Sequence, residues 1–116
     1  MKTSMWGRLS LLMGACLMAS GSIAQEGDAE RGEAASATCV ACHQANGGGM
    51  NISGGESWPR LAGLNSNYIA KQLHDFKAGD RQNATMVTFA NMLDDQQIAD
   101  VAAYYSQLPA TPGQSQ

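Results

Sequence analysis

Two cysteines and a histidine stand together in the pattern C-x-x-C-H, at Cys39, Cys42 and His43. Two cysteines at this spacing on a helical turn can both bond to the vinyl groups on one edge of a haem. The imidazole of the next residue can then lie under the iron. The spacing is therefore typical of covalent haem attachment, with Cys39 and Cys42 as thioethers and His43 as an iron ligand.

Three other kinds of site use the same residue types. A zinc site needs four ligands, so His74 or an acidic residue would have to complete it, and the sequence has no second cysteine pair of this kind. A thioredoxin-like dithiol requires a preceding strand, which the sequence does not predict. A disulfide between Cys39 and Cys42 would leave His43 without a role. We favour one covalently attached haem c.

The iron of such a haem needs a sixth ligand or an open site. Met50 follows His43 by only seven residues, so it would have difficulty reaching the other face of the ring. Met92 has the position of a packing residue at the start of a predicted helix, whereas Met86 lies within a predicted loop that can aim its thioether. Spacing favours Met86 over Met92. We expect His74, which lies beside an apolar stripe, to be a surface residue.

Three helices are predicted to position these residues, and no segment shows a convincing strand pattern. Each helix has a polar N-cap residue and a recognisable end. They run from Ala29 to about Thr38 after Asp28, from Asn65 or Ser66 to Gly79, and from Asp94, with Gln97 completing a capping box, to Pro109. The fold class is therefore all-α. The loops predicted at 44–64 and 80–93 are too long to be simple connections in so small a domain, so we expect them to lie over another group in the structure.

The first 24 residues have the pattern of a secretory signal peptide. Lys2 and Arg8 precede a short apolar run, and the small residues before Gln25 provide a cleavage site. The run is too short to span a membrane, so we expect a periplasmic protein without stable membrane insertion after cleavage. A lipid anchor at Cys16 is the less favoured alternative.

The remaining 92 residues carry five Lys and Arg and ten Asp and Glu, a net charge of −5. This balance argues against nucleic acid and anionic membranes as partners, because both require a basic surface. The same residues include only six aromatic side chains, which leaves little material for a hydrophobic core. Small domains of this kind usually depend on a disulfide, a metal or a cofactor.

Further segments extend the C-x-x-C-H motif into a pattern that covers nearly all of residues 27–108. They are Gly27-Asp28-Ala29-Glu30-x-Gly32, Pro59-Arg60-Leu61-Ala62-Gly63, Tyr68-Ile69-x-Lys71-Gln72-Leu73-x-Asp75-Phe76-Lys77-x-Gly79, Arg81-Gln82-Asn83 with Met86, and Asp95-x-x-Ile98-x-Asp100-x-Ala102-x-Tyr104. Together they resemble a class I c-type cytochrome, most closely one half of the two-haem bacterial cytochromes of the c-four type or a single-haem relative.

This resemblance implies a small monohaem cytochrome c fold over residues 25–109, with three main helices and long loops around the haem, followed by a disordered tail at 110–116. It implies Met86, seven positions before Leu93, as the second axial ligand of the iron. It also implies that the Pro59 carbonyl accepts the Nδ1 hydrogen of His43. Gly32 would be the contact residue where the first helix crosses the last, near Tyr104 or Tyr105.

His/Met ligation leaves no vacant position on the iron, which suits a soluble periplasmic carrier of one electron between redox proteins. The alternatives are a cytochrome subunit of a dehydrogenase or oxidase complex, and a haem peroxidase-like enzyme. The acidic balance favours partners with basic or apolar docking patches. The candidates to compensate the haem propionates are Arg60, Lys71, Lys77 and Arg81.

Overall fold

The computed structural model describes residues 26–52 and 57–110. The predicted leader with its cleavage site and Cys16, and residues 111–116 of the predicted tail, lie outside this range. The described helices are α1 (Ala29–Ala35), α2 (Val40–His43), α3 (Ser66–Ala78), α4 (Ala84–Asn91) and α5 (Asp95–Gln107), with a 3₁₀ turn at Ser36–Thr38. None of them is long and apolar enough to cross a membrane.

The predicted helix starts agree with the caps in the structure. The side chains of Asp28, Asn65 and Asp94 each accept a hydrogen bond from a backbone N–H in the first turn of α1, α3 and α5. Gln97 completes the capping box at Asp94, as predicted. Gly79 ends α3 in the left-handed conformation, with φ of 84°.

One prediction about the elements is wrong. Segment 80–93 is not a loop, because its residues 84–91 form α4, capped by the Asn83 side chain. The helix has only eight residues, and several of them are β-branched and have low helix propensity, so the sequence signal is weak. The first helical segment does reach Thr38, as predicted, but its last turn after Ala35 is a 3₁₀ turn.

A two-residue antiparallel pair also lies within the glycine-rich segment. β1 (Met50–Asn51) pairs with β2 (Ser57–Trp58), with Met50 opposite Trp58. Strands of two residues are too short to show an alternating pattern, so the sequence could not predict them.

The core lies where α1 and α3 pack on α5. Gly32 allows α1 to cross α5 closely, because a Cβ there would lie 2.0 Å from the Asp100 carbonyl oxygen and 2.8 Å from the Tyr104 Cβ. The predicted contact of Gly32 near Tyr104 is thus confirmed. The buried hydrophobic cluster comprises Ile69, Leu73, Phe76, Ala90, Ile98, Val101, Ala102 and Tyr105.

A buried carboxylate ties the beginning of α1 to α5. Asp100, only 3% exposed, accepts hydrogen bonds from the Asp28 backbone N–H at 2.7 Å, from Arg31 Nε at 2.8 Å and from Gln96 Nε2 at 2.9 Å. The bonds from Arg31, opposed by desolvation, lower the Asp100 pKa to about 2. The carboxylate therefore stays ionised at neutral pH and holds the two helices together.

Candidate functional site

A largely apolar cavity of about 690 Å³ opens between α2, α3, α4 and α5. Cys39, His43 and Met86 all line it, together with apolar side chains from α3, α4 and α5. Pro59 lines it as well, so the structure brings four of the five predicted site residues to one cavity; Cys42 is not among the described lining residues. The apolar part of the lining includes Leu61, Leu64, Ile69, Leu73, Phe76, Phe89 and Val101.

His43 is the last residue of α2, and its ring is held by one contact. The side chain is buried, and Nδ1 lies 2.7 Å from the Pro59 carbonyl oxygen. A carbonyl oxygen can only accept, so Nδ1 is the donor and the neutral ring keeps its lone pair on Nε2. The ring is therefore in the tautomer that can bind a metal through Nε2.

Pro59 is positioned by a backbone segment that packs against the glycines after α2. The N–H groups of Leu61 and Ala62 donate to the Gly47 carbonyl oxygen at 2.8 and 3.0 Å. Gly49 has φ of 72°, and a Cβ there would lie 2.5 Å from the Trp58 carbonyl oxygen. This close approach of two backbones fixes the Pro59 carbonyl, and it explains the glycine-rich sequence at this point.

Cys39 and Cys42 lie on one helical turn beside the histidine. The N–H groups of Cys42 and His43 both donate to the Cys39 carbonyl oxygen, at 3.2 and 2.9 Å. Both thiols are free and half-buried, and Cys39 lines the cavity. Burial raises the pKa of the Cys39 thiol. Within the described segments, no three His, Cys, Asp or Glu side chains are grouped so that they could hold a metal ion.

Met86 reaches the cavity from the first turn of α4, not from a loop as the sequence suggested. Its backbone N–H donates to the Asn83 side chain at 2.9 Å, so the cap of α4 also positions this thioether. Its side chain is half-buried. The structure gives this methionine a more rigid support than the sequence predicted.

The other candidate ligands have different surroundings. Met92 also lines the cavity but is 64% exposed, so its interpretation as a packing residue is wrong. Met50 is 41% exposed and is absent from the described cavity lining. His74 is exposed, as predicted, with Nδ1 3.9 Å from a carboxylate oxygen of Asp95.

Two buried polar atoms on the cavity wall have no hydrogen-bond partner within the described part of the chain. They are Nε of Arg60 and the hydroxyl oxygen of Tyr105. Burial raises the Tyr105 pKa, so the hydroxyl stays protonated. The family resemblance placed Tyr105 only near the contact with Gly32, and no sequence signal indicated that its hydroxyl would be buried at the cavity.

These features fit a large, flat, mostly apolar group that also carries polar substituents. The lining offers an imidazole nitrogen, a thioether and a thiol, which are ligands and attachment points suited to haem iron and haem vinyl groups. The unpartnered Arg60 and Tyr105 atoms would be satisfied by polar groups on the same ligand. By this test the residues present fit a haem.

Comparison with known proteins also points to a haem protein, because the sequence matches cytochromes c. The cytochrome c family model matches residues 29–109. A cytochrome c4 from Thiocapsa roseopersicina is 46% identical over 90 residues, which cover 77% of this chain and 44% of the relative. A thiosulfate dehydrogenase electron acceptor from Thiomonas intermedia is 46% identical over 72 residues, covering 62% of this chain and 32% of that protein.

A solved structure shows the same fold. The crystal structure of reduced recombinant cytochrome c4 from Pseudomonas stutzeri superposes with a TM-score of 0.64 at 36% identity. The match covers 73% of this chain and 47% of that chain. This chain thus spans less than half the length of these relatives.

The fold and the site define a small class I c-type cytochrome, related to cytochrome c4. The chain belongs to the cytochrome c family. Membership implies covalently bound haem c, and Cys39 and Cys42 fit the C-x-x-C-H attachment motif.

Proposed function

We propose that this chain is a periplasmic one-electron carrier in which His43 and Met86 are the axial ligands of the haem iron. The observation that carries the proposal is that both side chains line one apolar cavity together with Cys39. When bound, haem c supplies an iron centre that takes up and releases one electron.

The residues around the cavity have distinct roles in this proposal. His43 is kept in the metal-binding tautomer by Pro59, and Met86 is held by the capped first turn of α4. The apolar side chains of α3 and α5 exclude water, which limits rearrangement between the two oxidation states. A carrier requires no acid–base catalyst, and these residues supply rigidity instead.

Met86 as sixth ligand also favours a carrier over a peroxidase-like enzyme, because it leaves no coordination position for oxygen or peroxide. The visible spectrum tests this assignment. We expect a c-type α-band in the reduced protein and the weak Met–iron band at the red end of the oxidised spectrum. Rapid carbon monoxide binding by the unmodified reduced protein would contradict it.

A role as the electron acceptor of a dehydrogenase is a second candidate. It is favoured by the relative that is named a thiosulfate dehydrogenase electron acceptor. We expect a thiosulfate dehydrogenase with thiosulfate to reduce the oxidised protein, as seen from the growth of the α-band. Omission of the enzyme is the control, and equal reduction without it would count against this partner.

The periplasmic location rests on the leader pattern of residues 1–24. We expect the N-terminus of the exported protein, determined by mass spectrometry, to be Gln25. An N-terminal lipidated Cys16 would instead support the lipid-anchored alternative, and recovery of the full-length chain in the cytoplasm would contradict export.

A further inference from the structure

Gln44, the residue directly after His43, has a strained backbone conformation. Its φ of 65° and ψ of 158° lie in a region that is open almost only to glycine, because a Cβ is sterically hindered there. Among the described residues, Gln44 is the one non-glycine residue with a positive φ. Such strain lowers folding stability and persists only where the surrounding contacts fix the backbone.

The hydrogen bonds on both sides of Gln44 fix its backbone. The Gln44 carbonyl oxygen accepts from the Gly47 N–H at 3.0 Å, and the His43 carbonyl oxygen accepts from the Gly49 N–H at 3.1 Å. The three glycines at 47–49 are buried. The chain therefore turns back onto the end of α2 within six residues, and hydrogen bonds close this turn.

The turn leads directly to the backbone segment that carries Pro59. The Gly47 carbonyl oxygen accepts from the N–H groups of Leu61 and Ala62, at 2.8 and 3.0 Å. The Pro59 carbonyl oxygen lies 2.7 Å from His43 Nδ1. A closed circuit of contacts thus leaves the backbone of His43 through the strained turn and returns to its imidazole ring.

The strained φ is needed to complete this circuit. A change of the Gln44 φ to an ordinary negative value would rotate all following residues relative to α2. The two hydrogen bonds of the turn would break, and the Gly47 carbonyl oxygen would move away from the segment that it supports. The observed conformation allows His43 to end a helix while the chain immediately returns to hold its ring.

We propose that Gln44 is a positioning residue for the axial histidine, because its strained backbone turns the chain so that the Pro59 carbonyl is held against His43 Nδ1. The strain lowers folding stability, and the orientation of the imidazole is fixed in return. This inference rests on the proposed function, since it takes His43 as a ligand of the haem iron.

The strain is measured by comparing Gln44→Gly with Gln44→Ala in the holoprotein. Both variants lose the long side chain, but only glycine removes the hindered Cβ. After allowance for the greater freedom of glycine in the unfolded chain, we expect the folding equilibrium constant of Gln44→Gly to be about fivefold larger than that of Gln44→Ala. Chemical denaturation at 25 °C provides both constants.

The matched control is Ala45→Gly, the same alanine-to-glycine change at the next residue. Ala45 is exposed and has no positive φ, so glycine relieves no strain there. We expect the folding equilibrium constant to fall about threefold, because only the unfolded chain gains freedom. An equal fall from Gln44→Ala to Gln44→Gly would show that position 44 is unstrained and would overturn the inference.

A second comparison tests the link to the imidazole. Gln44→Val places a β-branched side chain at positive φ, where it is more strongly hindered than the wild-type side chain. Opening of the turn releases this strain, so we expect the His43 Nδ1–H of the reduced, ¹⁵N-labelled holoprotein to exchange about tenfold faster. Ala45→Val puts the same side chain on the exposed neighbour and should leave this exchange rate unchanged.

Equal exchange of the His43 Nδ1–H in Gln44→Val and in the wild type would overturn the positioning role while leaving the haem assignment intact. If Gln44→Val alone does not accumulate as a holoprotein, the glycine comparison decides the question, since it requires no destabilised variant. A wild-type protein purified without covalent haem would instead refute the proposed function itself.

Discussion

Met86 and Met92, at the two ends of α4, show how local surroundings separate two chemically identical side chains. Both line the cavity, but Met86 is half-buried and its backbone is fixed by the Asn83 cap, whereas Met92 is 64% exposed. A thioether is a weak ligand, so a position held by the fold favours iron binding. This difference leads to a matched pair of variants.

We expect Met86→Ala to open one coordination position on the iron. The reduced variant should bind carbon monoxide, the oxidised form should lose the Met–iron band, and peroxidase activity should appear. Met92→Ala is the control and should leave the spectrum unchanged. The reverse result, with the band lost only in Met92→Ala, would show that Met86 is not the ligand.

The residues of the attachment motif could be predicted because their chemistry is local. Cys39, Cys42 and His43 lie within five consecutive residues, and the spacing alone indicates the kind of site. The contact between His43 and Pro59 spans sixteen positions in the chain, so no spacing rule predicts it. It was available only from the resemblance to a family.

At the scale of elements, the crossing of α1 over α5 depends on the absence of a side chain at Gly32. A Cβ there would overlap the carbonyl oxygen of Asp100 on the facing helix. The same turn of α5 carries the buried Asp100 side chain, which accepts from the backbone of Asp28 and from Arg31. The crossing of α1 and α5 is therefore held both by the close backbone contact at Gly32 and by the hydrogen bonds of the Asp100 carboxylate.

We expect Gly32→Ala to lower the free energy of unfolding by at least about 2 kcal/mol, because the two helices must move apart. Gly79→Ala is a suitable control, since a Cβ there meets nothing within 4 Å. Its positive φ should cost only about 1 kcal/mol. Chemical denaturation of both holoproteins measures the difference, and equal losses would contradict the steric argument.

The Asp100 network predicts a specific acid sensitivity. Folding lowers the Asp100 pKa from 3.8 to about 2, so the ionised form contributes stability above pH 4 that is lost as pH falls toward 2. We expect Asp100→Asn to lose about 2 kcal/mol at neutral pH, because the bonds to the charged group are weakened.

The same variant should also show a flatter dependence of stability on pH between 5 and 2. Thermal melts of wild type and Asp100→Asn across this range are the measurement. Parallel curves would show that another carboxylate causes the acid sensitivity.

Helix ends were more predictable than helix interiors. Asp28, Asn65, Asp94 and Gly79 act on their own first or last turn, so the sequence around each one contains the whole signal. By contrast, α4 depends on packing against α3, and Asp100 on residues about seventy positions away. Long-range contacts of this kind have no local pattern from which they can be predicted.

At the scale of the whole molecule, the cavity explains why so short a chain appeared to lack core material. Without a hydrophobic occupant, the apolar side chains that line this open cavity of about 690 Å³ would face water, and exposed apolar surface costs free energy in proportion to its area. The cofactor therefore belongs to the core as well as to the redox site.

We expect the Cys39→Ser/Cys42→Ser double variant, which cannot attach haem, to be largely unfolded at 25 °C. Its far-ultraviolet circular dichroism should lack most of the helical signal of the holoprotein, and added haem should restore only part of it. A haem-free variant with the full helical signal and a cooperative melt would show that the folded state does not depend on the cofactor.

We expect one chain to hold one electron on a haem ligated by His43 and Met86. An optical redox titration of the purified protein tests it most directly. We predict a single one-electron transition in which the c-type α-band appears on reduction while the Met–iron band disappears. A reduced spectrum without a c-type α-band, or an oxidised spectrum without the Met–iron band, would contradict the account.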